Sequence, residues 1–470
     1  MSARPIPKVP GLPLLGSLLK LTREPVRFFV DCYRKHGPVC EIKVLDQRYV
    51  LVAGVEAANL LGSRVGKDSL RSRQFWEGLV KEYGADRALV TEDGESHKEL
   101  RDIMRRGYSK ESIKGRYDFF VRTVDEIYAR DFKPGARVPV VQAMQYMAVG
   151  TLGPLLTGVA PVEYIRDIRV AILYILNVLV TRQRPKFFLW APEYRRAKAR
   201  VVELGHRMIA EGRKRVGTLR DDEMNLIDDI MAAAARKPGM LPTNDLIVAT
   251  TGPYVAGLDT VANTTAVTIY MVLKHPEVRA RIEREVDALF SQWPIPEEEV
   301  MARLPALNGA IMESMRLYPI AVAQIRTVVQ DFEFQGYSFK KGDMLYVSSV
   351  VPHFMDEYFP SAGSFDIDRY QPPRSEHMKP GAYSPYGRGP HTCLGKSLAE
   401  VQLALAMARL FYQYDLELDP PNYLLQTKVA PTPGPAMSFK VRVKGLRRQA
   451  ARSGAGLRGV PLRAGVPPAP

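Results

Sequence analysis

Cysteine, histidine and tryptophan are scarce in this 470-residue chain, at three, seven and three. Three thiols, Cys32, Cys40 and Cys393, cannot build a disulfide framework. Neither C-x-x-C nor H-E-x-x-H spacing occurs, which excludes the common structural and hydrolytic zinc sites. Long apolar runs are missing as well. The longest, residues 170–180, contains Asn177 and falls short of the ~18–20 residues that a membrane-spanning helix needs. The N-terminus lacks the apolar core and small-residue cleavage site of a secretory signal. The expectation is a cytoplasmic protein with no transmembrane anchor.

Positive charge is in excess, with 66 Lys and Arg against 51 Asp and Glu, a net +15. Nine of the cations lie from Lys428 onward, where no acid occurs, so residues 1–419 hold 57 cations against 51 acids, a mild +6. The final stretch, 444–470, is rich in Arg, Gly, Ala and Pro without periodicity and is expected to be a disordered tail. No recognition helix or aromatic–basic alternation accompanies it, so no nucleic-acid partner is expected.

The body can bury a large core, since 46% of its residues are apolar. Pro5, Pro7, Pro10 and Pro13 make residues 1–30 a proline-rich N-terminal segment that starts extended. A hairpin is expected from 39–44 and 48–52 around Leu45-Asp46-Gln47. Helical periodicity marks 98–106, 195–215, 245–274, 276–290, 307–317 and 394–412, while 325–350 and 436–443 are β-rich. No internal repeat or flexible linker interrupts the chain between 30 and 440. One large domain over 31–443 follows, mainly α with a smaller β region.

Chemistry is suggested first by Cys393, which stands in a glycine- and proline-rich loop, 383–393, directly before a helical pattern. Unpaired amides and partial positive charge at a helix N-terminus stabilise an anion and lower a thiol pKa. Gly387, Gly389 and Gly395 permit tight turns and close approach to a flat ligand. An inert buried cysteine remains the alternative on this segment alone. Within 245–274, Ala256-Gly257-Leu258-Asp259-Thr260 places a glycine inside a helix at a cost of roughly 1 kcal/mol relative to alanine. That suggests close approach to the backbone there. Asp259 and Thr260 pair an acid with an alcohol able to relay protons, and Thr260 can bond the carbonyl of Ala256. Pro253 in the same pattern should distort the preceding turn. Glu313 and Arg316 share one face of an apolar helical stretch, where a buried pair needs a third partner. Arg369 is the candidate.

Tyr386-Gly-Arg-Gly-Pro-His-Thr-Cys-Leu-Gly395 resembles the haem-binding signature of the cytochrome P-450 family, with Tyr386 where that pattern usually has Phe. Ala256 to Thr260 is similar to the family's oxygen-activation motif, and Glu313-Ser-Met-Arg316 with Arg369 to its Glu-x-x-Arg motif and downstream arginine. The order of the four motifs matches too. The resemblance implies the cytochrome P-450 fold with haem b as cofactor and Cys393 as the axial iron ligand. It implies that His97, Arg101, Arg326 and His391 contact the propionates, with Ala256, Gly257, Tyr386 and Gly395 beside the cofactor. Asp259 and Thr260 would be catalytic, and Glu313, Arg316 and Arg369 structural.

The activity so implied is insertion of one oxygen atom from O2 into a lipophilic small molecule of the terpenoid, steroid or fatty acyl class. Residues 170–180 and 186–190 would form the roof and access channel of the substrate site. No flavin or ferredoxin domain is fused, so electrons from NAD(P)H would arrive through a separate ferredoxin or flavodoxin with its reductase. Arg105, Arg106, Arg388 and Lys396 would present a basic face to that partner of a monomeric enzyme. A peroxide-driven enzyme is disfavoured by the presence of Asp259 and Thr260. The alternative from another class is a non-catalytic haem- or lipophile-binding protein on the same fold.

Overall fold

The computed structural model describes residues 4–220, 223–429 and 432–447. Its centre is the helix Thr243–Lys274, which packs against Val140–Leu156, Pro192–Arg215 and Pro305–Leu317. Twenty of its residues are buried, from all sides of the cylinder, as expected of a helix enclosed by others. It runs through Pro253 unbroken. Helices Pro25–His36, Pro192–Arg215, Pro276–Ser291 and Pro305–Leu317 each begin on proline, whose missing amide costs nothing in a first turn.

Five strands form the larger sheet, in the order Val39–Val44, Gln47–Ala53, Met344–Ser348, Gln324–Val328, Leu70–Arg71. All pairings are antiparallel except that between Gln47–Ala53 and Met344–Ser348. The hairpin pairs Val39 with Val52 and Val44 with Gln47, one residue tighter than expected, and Leu45 turns in the left-handed region at φ 56°. The proline-rich segment lies along this sheet. The amide of Glu41 donates to Pro7 O at 2.7 Å, and that of Val9 to Glu41 O at 2.9 Å. Pro7 contributes only its carbonyl and Val9 the amide, so the missing proline amide costs neither of these two bonds. A second sheet joins Arg137–Pro139, Lys440–Leu446 and Tyr414–Asp419. Its middle strand runs past 443, and Arg447 then donates to Phe411 O at 2.6 Å. The remainder of the expected tail lies outside the described residues.

A buried ionic node ties this framework together. Glu313 and Arg316 on helix Pro305–Leu317 form a two-bond pair, at 2.7 Å in each bond, with both side chains fully buried. Arg369 is indeed the third member, its Nε 3.1 Å from Glu313 Oε1. Tyr370 adds a hydroxyl donor at 2.6 Å, and Arg369 also binds Glu376 at 2.9 Å. The spare guanidinium hydrogens go to carbonyls of His353, Pro360, Ser361, Ala362 and Ser364. One carboxylate thus holds the irregular chain between 353 and 376 against a helix.

Replacing Glu313 by Gln leaves two buried guanidinium groups against one weak acceptor. A loss of about 3–5 kcal/mol is expected in denaturant unfolding. Burial, reinforced by Arg316, holds the His353 pKa down at about 3. The unfolded chain, with its histidine near 6.5, therefore binds a proton that the folded chain refuses. Stability is full above pH ~6.5 and falls toward pH ~3 by up to ~1.4 kcal/mol per pH unit from this group. His353→Gln should flatten the curve in that window.

Candidate active site

The loop before helix Lys396–Gln413 is shaped by two left-handed glycines, Gly387 at φ 73° and Gly389 at φ 75°. A Cβ on Gly389 would lie 2.2 Å from Leu61 O, and one on Gly387 would lie 2.6 Å from Gln324 Nε2. These glycines admit neighbouring protein, whereas the sequence suggested close approach to a flat ligand. Gly395 caps the helix at φ −81°, and a Cβ there would meet Tyr108 at an ordinary 3.5 Å. Its sequence assignment beside a cofactor gains no support from crowding. The amide of Cys393 donates to Tyr386 O at 2.9 Å, which closes the loop beneath the thiol. Lys396 Nζ lies 5.7 Å over the Tyr386 ring.

Cys393 is exposed although protein surrounds it. Burial pushes its thiol pKa up, with the Gly395 amide and the Arg101 guanidinium pulling the other way. The lowering expected from a helix N-terminus is therefore outweighed here by desolvation.

Four basic residues gather beside the loop. His97 and Arg101 come from helix Gly94–Arg105, Arg326 from strand Gln324–Val328 and His391 from the loop itself. The imidazoles of His97 and His391 lie 4.3 Å apart, centroid to centroid. Burial, then the charges of His391 and Arg101, hold His97 down to about 4, and its Nε2 is buried with no hydrogen-bond partner. Burial lowers Arg326 to about 10 despite the opposing charge of Asp93. His391 Nε2 is 2.9 Å from Asp93 Oδ1. Burial works against that carboxylate, but His391 and the Ser72 amide outweigh it and hold its pKa below the usual range. Cationic groups thus outnumber acids in a desolvated cluster, an arrangement suited to an anionic ligand.

On the central helix, Ala256 and Thr260 are exposed while their neighbours Leu258, Asp259 and Val261 are buried. Positions four apart lie on one stripe, so the helix opens along one narrow face. Thr260 Oγ1 donates to Ala256 O at 2.7 Å. Gly257, next to Ala256, is half-buried, and a Cβ there would lie 2.8 Å from Leu152 Cδ1. Its lack of a side chain serves the contact with helix Val140–Leu156. Asp259 points away from the open stripe. Gln145 Nε2 donates to its Oδ1 at 2.6 Å, and Arg169 Nε stands 4.0 Å from the same oxygen.

Residues 6–437 match the family model Cytochrome P450. The chain belongs to the cytochrome P450 family. Over 87% of this chain and 88% of the relative, it is 26% identical to cyclooctat-9-en-7-ol 5-monooxygenase of Streptomyces melanosporofaciens. Over 82% and 90% it is 24% identical to the putative cytochrome P450 139 of Mycobacterium tuberculosis. A 31% identity to the sterol 14alpha-demethylase of Mycolicibacterium vanbaalenii covers 35% of this chain and only 37% of that protein. The fold is similar to retinoic acid bound cyanobacterial CYP120A1, with TM-score 0.80 over 94% of this chain and 99% of that one at 21% identity. The protein is therefore an oxidoreductase that incorporates oxygen, and its family implies haem.

The residues present fit that group. A P450 haem carries two propionates, and the orphaned His97 Nε2 with the desolvated Arg101 and Arg326 offers them donors. Cys393 offers an accessible sulfur. Asp93 and Gln145 escaped the sequence reading, because they bond to residues 298 and 114 positions away. Among the residues assigned to the basic face, Arg105 pairs with Asp102 and Arg106 with Asp229. Arg388 donates to Ser384 Oγ at 3.0 Å and to Tyr383 O at 2.8 Å, while Lys396 stays about half exposed, 3.9 Å from Glu400.

Proposed function

We propose that this P450 is a cytoplasmic, monomeric haem-thiolate monooxygenase acting on a lipophilic small molecule of the terpenoid, steroid or fatty acyl class. The observation that carries the reading is the accessible Cys393 sulfur beside a desolvated cluster of basic groups. Cys393 would ligate the iron of haem b, and His97, Arg101 and Arg326 would hold the propionates. His391, already bonded to Asp93, would orient that set. Haem bound there supplies the activation of O2 and the transfer of one oxygen atom to a C–H or C=C bond. Two relatives named for cyclooctat-9-en-7-ol and for a sterol support the substrate class.

Thr260 and Asp259 divide the handling of protons. The Thr260 hydroxyl is anchored by its bond to Ala256 O and keeps its lone pairs for a proton from elsewhere. Asp259 faces Gln145 and Arg169, and its charge partly offsets the burial that lowers the Lys428 pKa. Successive helix positions diverge by about 100°, so the carboxylate reaches the hydroxyl only by a rotamer change or through water. Asp259 thus collects protons on the closed side, and Thr260 delivers them on the open side.

Electrons from NAD(P)H would enter through a separate ferredoxin or flavodoxin and its reductase. Exposed Lys396, next to the cysteine loop, supports an acidic partner. No helix among the described residues is long and apolar enough to cross a membrane.

The purified protein should show a thiolate-type carbon-monoxide difference spectrum, and Cys393→Ser should lose it. An unaltered visible spectrum in that variant refutes the assignment of the sulfur. Thr260→Ala should retain the spectrum but consume several-fold more reducing equivalents per product formed, as measured by cofactor oxidation against product yield. Equal coupling in the two proteins removes the role given to the hydroxyl.

A further inference from the structure

A line of oxidisable rings leads from the cysteine loop to the buried ionic node. Tyr386 accepts the Cys393 amide on its carbonyl at 2.9 Å, and its own hydroxyl is buried with no hydrogen-bond partner. Tyr383 stands three residues earlier, so the two Cα atoms are at most ~11 Å apart. The turn closed by the Gly387 amide on Ser384 O, at 3.1 Å, bends the chain there. The Tyr383 ring lies 5.8 Å from that of Tyr370, centroid to centroid. Both rings stand beside the His377 imidazole, Tyr383 at 6.3 Å and Tyr370 at 5.4 Å. His377 is half-buried and exposed Met378 follows it, so the line ends at the surface.

The three phenols differ in what can take their proton. Burial pushes the Tyr370 and Tyr383 phenols up, so each stays neutral and yields an electron readily only if its proton leaves as well. Tyr386 has no acceptor, and Tyr383 donates to the carbonyl of Met312 at 2.9 Å, a group that does not hold a proton. Tyr370 donates to Glu313 Oε2 at 2.6 Å, a carboxylate that does. Arg316 and Arg369 keep that carboxylate ionised at rest and therefore free to accept. Tyr108 also stands near the cysteine, against Gly395, but no carboxylate acts on its phenol.

We propose that Tyr386, Tyr383 and Tyr370 form a relay that draws oxidising equivalents away from the haem site when no substrate consumes them, with Glu313 as the proton acceptor. The inference rests on the proposed haem-thiolate function. An oxidant of the peroxide class, such as a peracid, oxidises the bound haem by two electrons as its O–O bond breaks and the carboxylic acid leaves. Tyr370 returns one of these electrons by way of Tyr383 and Tyr386. Its O–H bond breaks, the proton moves along the hydrogen bond to Glu313, and a neutral phenoxyl remains. A thiolate from solution then gives one electron at the His377 edge and becomes a thiyl radical, while the proton returns from Glu313 and restores the phenol. A second pass returns the other electron.

The test uses the full-length holoprotein without substrate, mixed with peracetic acid and rapidly frozen for electron paramagnetic resonance. The carbon-monoxide difference spectrum of the same preparation is taken first, and its absence overturns the haem reading and the relay with it. With that spectrum in place, a tyrosyl signal is expected, identified by its narrowing when the tyrosines are ring-deuterated. Tyr370→Phe and Tyr383→Phe each lower the signal about fivefold with an unchanged haem spectrum, whereas Tyr108→Phe leaves it intact. Tyr383→Phe removes only a bond to a carbonyl and decides the matter if Tyr370→Phe loosens the ionic node. Bleaching of the haem by the peracid runs about twofold faster in Tyr383→Phe than in the parent. A parent with the thiolate spectrum and no tyrosyl signal overturns the proposal, as does a full signal in Tyr383→Phe, loss of the signal in Tyr108→Phe, or equal bleaching.

Discussion

The desolvated carboxylate of Glu313 is the constraint on which the molecule's arrangement depends. It binds Arg316 from its own helix and Arg369 and Tyr370 from the irregular segment that follows the sheet. Buried ions are stable only when every charge and hydrogen is answered, and the carbonyls of residues 353 to 364 provide those answers. The backbone of that segment is therefore specified by hydrogen bonds to guanidinium groups in place of a helix or sheet ladder. His353 extends the order toward the cysteine loop, since its Nε2 accepts from the Ser384 amide at 2.9 Å. A structural node and the loop carrying Cys393 are thus two steps apart in one bonding chain.

The site is assembled from elements with opposite demands. The cysteine loop needs backbone freedom and obtains it from left-handed Gly387 and Gly389, each pressed against protein. The central helix is regular and supplies its opening by side-chain size, with Ala256 and Thr260 on one stripe. Basic groups come from a helix, a strand and the loop, which converge only in three dimensions. Their desolvation lowers the proton affinity of His97 and Arg326, so binding an anion there relieves a cost already present in the fold.

Helices with one apolar face were legible from periodicity, and 195–215 and 276–290 lie within Pro192–Arg215 and Pro276–Ser291. Val140–Leu156 was not, because fourteen of its seventeen residues are buried and an all-round apolar helix has no period to detect. Gly257 shows the same limit at one residue. A glycine in a helix announces that something comes close, yet only packing tells that Leu152 is one such neighbour. The partners of Asp259 and His391 were equally hidden, since nothing local to either residue encodes Gln145 or Asp93.

Sequence alone determined the family resemblance, the single large mainly helical domain and the nomination of Cys393 as the expected iron ligand, because those rest on residue type at short spacing. Tertiary structure decided which way Asp259 faces, which of the glycines admit protein, and how burial weighs on Cys393, His97 and Arg326. The physical reason is that these properties are set by desolvation and by contacts between residues a hundred or more positions apart, and neither leaves a mark on the local pattern.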